Sequence, residues 1–170
     1  MAIRRILNVL PDLPALRKKS RAVKVIDHRV LELLDDMKET MYAIDGAGLA
    51  APQVGVLRRV AVVDTSEDKT ELVELINPEL VLQEGLQSGT EGCLSITDLH
   101  GTVERPLTVT VRFMDRNGVS NELRAEGYLA RAICHEIDHL NGILFVDTAC
   151  DLHKPSELEN EEEHATAHPD

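Results

Sequence analysis

The pentapeptide His135-Glu136-Ile137-Asp138-His139 constrains this chain more than any other stretch. It lies in a segment, residues 128–141, whose pattern predicts a helix closed by Gly142. On a helix, residues four apart share a face, with Cβ atoms about 5–6 Å apart. Two imidazoles at that spacing can bind one metal ion, and Glu136 projects beside the ion, where a general base takes a proton from water. A solvated face that happens to carry two histidines is the competing reading. The flanks weigh against it: Leu129, Ile133, Ile137 and Leu140 form an apolar stripe, and Ala130, Ala132 and Cys134 keep the rest small or uncharged apart from Arg131. A helix apolar around most of its circumference is a buried helix. Buried imidazoles and carboxylates need partners, and a metal supplies them.

Two histidines do not complete a site. The longer pattern H-E-x-x-H-x-x-G-x-x-H fails here, because Gly142 matches but Phe145 stands where the third histidine belongs. A downstream carboxylate could come from Glu157, Glu159 or Glu161 to Glu163, which lie in a polar stretch with little to anchor it. The third ligand is therefore expected upstream.

At 170 residues the chain reads as one domain with room for a real core. Its aromatics are few (Tyr42, Phe113, Tyr128 and Phe145, with no Trp), so that core must be built from Leu, Ile, Val and Ala. The net charge of −12 argues against a protein that grips nucleic acid or anionic membrane over its whole surface. Part of the excess is local, since residues 151–170 hold seven acids against one Lys. Three cysteines, Cys93, Cys134 and Cys150, are too sparse and too odd for a disulfide framework. The apolar run before Pro11 is too short for a secretory signal, and no stretch approaches the 18 or so apolar residues of a membrane span. A soluble protein of the reducing cytoplasm is expected.

Residues 1–24 read as an irregular approach punctuated by Pro11 and Pro14, with a basic patch from Arg17 to Lys24. Val30, Leu33, Leu34, Met37 and Met41 then recur at helical spacing behind Asp27, an N-cap, which predicts an amphipathic helix to Ala43. Gly46 to Gln53 follows. Its glycines invite a phosphate-loop reading, but the spacing is incomplete and no Lys-Ser/Thr follows. A turn between helix and strand explains them equally well, and they also allow a ligand close to the backbone. Residues 60–64 predict a buried strand, 72–82 one or two more around Asn77-Pro78, and 108–113 a half-buried one. Asn117-Gly118 marks a hairpin whose return strand, 122–126, delivers the chain into the motif helix. Helix, strands, helix is an α+β order: antiparallel strands packed around a buried C-terminal helix that carries the metal motif.

Among the cysteines, Cys134 is rotated about 100° from His135 around the helix axis, and Cys150 falls past the last regular-looking segment. Cys93, in Glu91-Gly92-Cys93-Leu94-Ser95, is the best placed. As a thiolate it would complete a Cys-His-His set with an open fourth position, the pattern of a catalytic site. A single cysteine is also commonly a small core residue.

Gly46-Ala47-Gly48-Leu49-Ala50-Ala51-Pro52-Gln53, Glu91-Gly92-Cys93-Leu94-Ser95 and His135-Glu136-Ile137-Asp138-His139 stand in the order and approximate spacing of a bacterial peptide deformylase. The opening around Pro11-Asp12, Val103-Glu104-Arg105-Pro106 and Glu126-Gly127 through Phe145-Val146-Asp147 also resemble that family, so the resemblance covers residues 1–150 as one catalytic domain and leaves 151–170 as an acidic, disordered tail. It implies an enzyme that removes the N-formyl group from the initiator methionine of new polypeptides and releases formate. By the same resemblance Cys93, His135 and His139 hold the metal, and Glu136 is the general acid/base. Gln53 and the Leu94 N–H are the oxyanion donors. The backbone of Gly46, Ala47 and Gly48 pairs with the peptide as an added strand, and Arg105 lies near the bound peptide. Iron(II) is the implied cellular metal, with zinc(II), nickel(II) or cobalt(II) in preparations. Formylmethionyl nascent chains are the implied substrates, with transient ribosome contact, no nucleic-acid reading and no membrane. The sequence departs from the family after Ile96, where Thr97-Asp98 replaces the usual Pro-Gly at the border of the cleft.

Two other classes are expected to separate from this one by simple tests. A peptidase cutting internal amide bonds through a tail glutamate ligand would lose its metal on truncation at Asp151. An inactive, ribosome-associated binding module would have no use for an acid beside a metal, and Glu136 and Gln53 are both intact.

Overall fold

The computed structural model describes residues 1–155. Among these residues three α-helices and eight strands follow one another: α1 (Val9–Leu16), α2 (His28–Ala43), β1 (Gly48–Ala50), β2 (Val60–Val63), β3 (Val73–Glu84), β4 (Gln87–Cys93), β5 (Ile96–Arg105), β6 (Thr108–Met114), β7 (Ser120–Glu126), α3 (Tyr128–Leu140) and β8 (Cys150–His153). An antiparallel five-stranded sheet has the order β1-β2-β3-β6-β7, and a three-stranded sheet has the order β4-β5-β8.

The α+β expectation holds, and the sheet sequences explain why. All four residues of β2, Val-Ala-Val-Val, are buried, as in a strand covered on both faces. Ala61 and Val63 pack with Ile133, Ile137 and Leu140 of α3. Val60 and Val62 pack with Leu33, Leu34, Met37 and Met41 of α2. The large sheet is thus sandwiched between α2 and α3. On its other flank α3 meets the small sheet, beneath which Ile96, Val103, Leu144 and Phe145 form a third cluster. Each such fully buried aliphatic side chain contributes about 1.5–3 kcal/mol.

Asp27 caps α2 as expected, accepting from the Arg29 and Val30 N–H groups. The Asn-Gly hairpin is present between Met114 and Ser120. Of the one or two strands expected over 72–82 there is one, bulged at Asn77-Pro78, where Asn77 turns its amide onto both backbone groups of Val23. The irregular approach contains a helix, α1, capped by Asn8. Leu10 lies outside helical conformation, so Pro14 falls about one turn into the helical part, where a missing N–H costs little. Cys150, expected past the last regular element, begins β8, which pairs with β5 at Thr102 and His100. The tail beyond Pro155 lies outside the described residues. Gly142 ends α3 against the Arg17 carbonyl, in space that a Cβ would occupy.

Candidate metal centre

The central helix α3 delivers His135 and His139 one turn apart, with ring centroids 5.0 Å apart. Their Nε2 atoms face each other at 3.2 Å. The β4–β5 hairpin brings Cys93 to them, its Sγ 3.3 Å from His139 Nε2. Cys93, His135 and His139 each offer a donor atom within 4.8 Å of the others, and among the described residues no second group of three such donors converges. A tetrahedral ion with nitrogens at about 2.0–2.1 Å and sulfur at about 2.3 Å spaces its donors by roughly 3.3–3.6 Å. The three residues fit a metal.

Cys134 does not join them. It is buried in the cluster between α3 and the sheet, where burial pushes its thiol up to about 11. Cys150 lies on β8 with its Sγ directed to the Thr102 carbonyl. The tail glutamates Glu157, Glu159 and Glu161 to Glu163 lie outside the described residues.

Glu91, to which the sequence assigns no role, stands behind His135. Its Oε1 lies 2.8 Å from His135 Nδ1. A proton on Nδ1 satisfies that bond and leaves the Nε2 lone pair for the cluster, the usual orientation of a metal-bound histidine. Glu91 also takes two hydrogen bonds from Arg105, at 3.0 and 2.9 Å, and one from Arg131 at 2.6 Å. Burial alone would raise its carboxyl, but hydrogen bonds from His135 and Arg105 hold it at about 2. Arg105 was expected beside the bound peptide. Instead it is buried between Glu91 and Asp138, which accepts from its Nη1 at 2.6 Å, and it does not line the cleft. A buried carboxylate needs cations at hand, and Arg105 meets that need. The signal is present in the sequence, because Glu91 and Asp138 lie within two of the three motifs.

Glu136 follows His135 on α3, lines the same cleft and is 4% exposed. Its Oε2 has no hydrogen-bond partner among the described residues. Burial pushes its carboxyl up to about 7. Gln53 is oriented by the Ala50 N–H, which donates to its Oε1 at 2.9 Å. Its Nε2 then faces Ser95 Oγ at 3.2 Å and Cys93 Sγ at 3.6 Å. Leu94 forms the tip of the two-residue hairpin turn, between the paired residues Cys93 and Ile96.

These groups line a cleft of about 420 Å³. One wall is β1, an edge strand of the large sheet. The Asp64 N–H donates to the Ala47 carbonyl, and hydrogen-bonded pairs alternate along an antiparallel ladder. Gly48 therefore aims its N–H and C=O away from β2, into the cleft. Thr97, where the Pro-Gly is missing, lines the opposite wall; Asp98 does not.

A cysteine and two histidines around one point, with a buried acid beside them and an open strand edge above, define a metal-dependent hydrolase. The sequence profile of the family described as Polypeptide deformylase matches residues 3–155. A peptide deformylase of Caldanaerobacter subterraneus subsp. tengcongensis is 53% identical over 150 residues, covering 88% of this chain and 92% of that one. The crystal structure of a peptide deformylase from Legionella pneumophila superposes with a TM-score of 0.83 at 39% identity, covering 99% of this chain and 100% of that one. A Met-Ala-Ser-bound class I type b peptide deformylase from Acinetobacter baumannii superposes with a TM-score of 0.79 at 32% identity, covering 86% and 98%. The chain belongs to the polypeptide deformylase family, metallohydrolases that use a single catalytic metal to remove the N-formyl group from the initiator methionine of nascent chains. Among the described residues no helix is long and apolar enough to cross a membrane.

Proposed function

We propose that Cys93, His135 and His139 hold the catalytic metal of this deformylase and that Glu136 carries the proton. The observation behind this is the buried, unpartnered Oε2 of Glu136 together with three converging donors, two of which line the cleft. Iron(II) is the metal we propose in the cell. A thiolate with two imidazoles suits it, and zinc(II), nickel(II) and cobalt(II) fit the same donors.

When bound, the metal supplies Lewis acidity toward a carbonyl oxygen and makes water more acidic. The chain's own residues do the rest. Glu136 takes a proton from the attacking water as its oxygen bonds to the formyl carbon. Gln53 Nε2 and the Leu94 N–H donate to the oxyanion that develops, the interaction that lowers such barriers most. The C–N bond then breaks, Glu136 returns its proton to the leaving amine, and formate and a free N-terminus result. The edge of Gly46, Ala47 and Gly48 pairs with the peptide main chain. Residues 1–150 form the catalytic domain, with 151–170 as an appended acidic tail. The three free cysteines suit the reducing cytoplasm, where the substrates are met in transient contact with the ribosome.

The test is acyl selectivity. A formyl group presents a hydrogen to the floor of the cleft where an acetyl group presents a methyl. Overpacking costs about 1–3 kcal/mol, and misaligned oxyanion donors about 2.7–4 kcal/mol more. kcat/KM for formyl-Met-Ala-Ser should exceed that for acetyl-Met-Ala-Ser by at least about a thousandfold. Comparable rates, or cleavage of an unblocked peptide at an internal bond, would overturn the reading in favour of a peptidase.

A further inference from the structure

Tyr42 and Asp64 do not line the cleft, yet they are bonded to the segment that leads into the strand forming its wall. Tyr42 stands in the last turn of α2, and Asp64, fully buried, follows β2. The Tyr42 hydroxyl donates to Asp64 Oδ2 at 2.6 Å. Asp64 Oδ1 accepts from the N–H of Ser66 at 3.0 Å and from its hydroxyl at 2.5 Å. Burial pushes the Tyr42 hydroxyl up to about 12, and the bonds from Ser66 and Tyr42 outweigh burial to hold the Asp64 carboxyl below its usual range. At neutral pH donor and acceptor are therefore fixed.

The backbone around this pair clamps the segment entering β1. The Asp64 N–H donates to the Ala47 carbonyl at 2.9 Å, the Gly46 N–H to the Met41 carbonyl at 2.9 Å, and the Asp45 N–H to the Tyr42 carbonyl at 3.2 Å. Residues 45–47 thus hang between the end of a helix and the end of a strand. Among these bonds, the one from Tyr42 to Asp64 ties the two ends directly to each other.

We propose that Tyr42 and Asp64 are positioning residues for the peptide-pairing edge. They set where Gly46 and Ala47 stand, and so how firmly the enzyme holds residues beyond the methionine. This rests on reading β1 as that edge. Gly48 abuts Glu136, so the reacting residue pairs there. Two residues of strand span about 6.6–6.8 Å, which brings the third residue of a substrate opposite Gly46. The pair therefore governs the far end of the peptide and leaves the reacting carbonyl alone.

The test compares wild type and Tyr42→Phe on formyl-Met-Ala-Ser and on formyl-methionine amide, alongside metal content and Tm. KM for the tripeptide should rise about tenfold, the size of one or two weakened backbone hydrogen bonds. kcat, metal content and KM for the single-residue substrate should stay at wild-type values. Arg116→Gln is the control, since it removes the bonds to Glu74 and Asp35 away from the cleft; it should lower Tm without changing the ratio of the two KM values. If Tyr42→Phe does not accumulate as folded protein, Ser66→Ala removes one of the three bonds that orient the same carboxylate, and the same ratio is read. Equal losses on both substrates, or a ratio that shifts equally in Arg116→Gln, overturn the inference. Wild-type protein inert on both formyl substrates would overturn the deformylase reading beneath it, a distinct outcome.

Discussion

Gly48 lies directly against the Glu136 side chain, at a seam so close that a Cβ on residue 48 would stand 2.5 Å from Glu136 Oε1 and 2.9 Å from its Cδ. The glycine that opens the edge strand also fixes how near the buried carboxylate can come. Gly48→Ala should push Glu136 off its place while leaving the three donors untouched. A displacement of about 1 Å near the reacting groups costs on the order of a hundredfold. kcat should fall by about that factor at full metal occupancy. Wild-type turnover in Gly48→Ala would show that the contact has no catalytic weight.

Glu136→Gln preserves shape and hydrogen bonding but removes the proton acceptor. We expect the metal to stay bound while kcat drops by roughly 10²–10⁴. Metal analysis beside steady-state rates checks it, and a near-normal kcat would remove Glu136 from the mechanism.

Glu91→Gln separates the support of the site from its chemistry. The change takes the negative charge away from two buried guanidiniums and weakens the bond that orients His135. Losing such a partner typically lowers metal affinity by about 10–100-fold. Competition with a chelator reads this directly; affinity unchanged from wild type would mean that the α3 backbone alone orients the imidazole.

Cys93→Ser replaces a soft thiolate with a hard, protonated oxygen. Metal content after dialysis should collapse. Cys134→Ser, one position from His135, should keep its metal and lose stability instead, because it adds a hydroxyl to a closed apolar cluster. The reverse pattern would reassign the ligand.

Where local chemistry decides the outcome, the sequence was readable. Asp27 caps α2 because its carboxylate reaches two free N–H groups, and the spacing of His135 and His139 is a property of any helix. The small sheet was harder. Strand β4 is Gln-Ser-Gly-Thr-Glu-Gly-Cys, with no apolar alternation to find, and it exists because β5 and the underlying cluster of Ile96, Val103 and Phe145 hold it in place. Helix α1 was hidden by its two prolines. Arg105 is hard to place for a related reason: a charged residue beside a motif invites a substrate role, and only the three-dimensional position of Glu91 reveals the buried carboxylate it pairs with.

The two walls of the metal centre differ in how they can open. His135 and His139 ride on a helix with nine of its thirteen residues buried between two sheets, so their amides should exchange with solvent only through global unfolding. Cys93 is the last residue of an edge strand that is half-exposed or exposed at every position but Glu91. Loosening that hairpin costs far less than loosening α3. On the proposed ligand set, loss of the ion should begin at the sulfur, while the imidazoles keep the site's shape for the next ion to find.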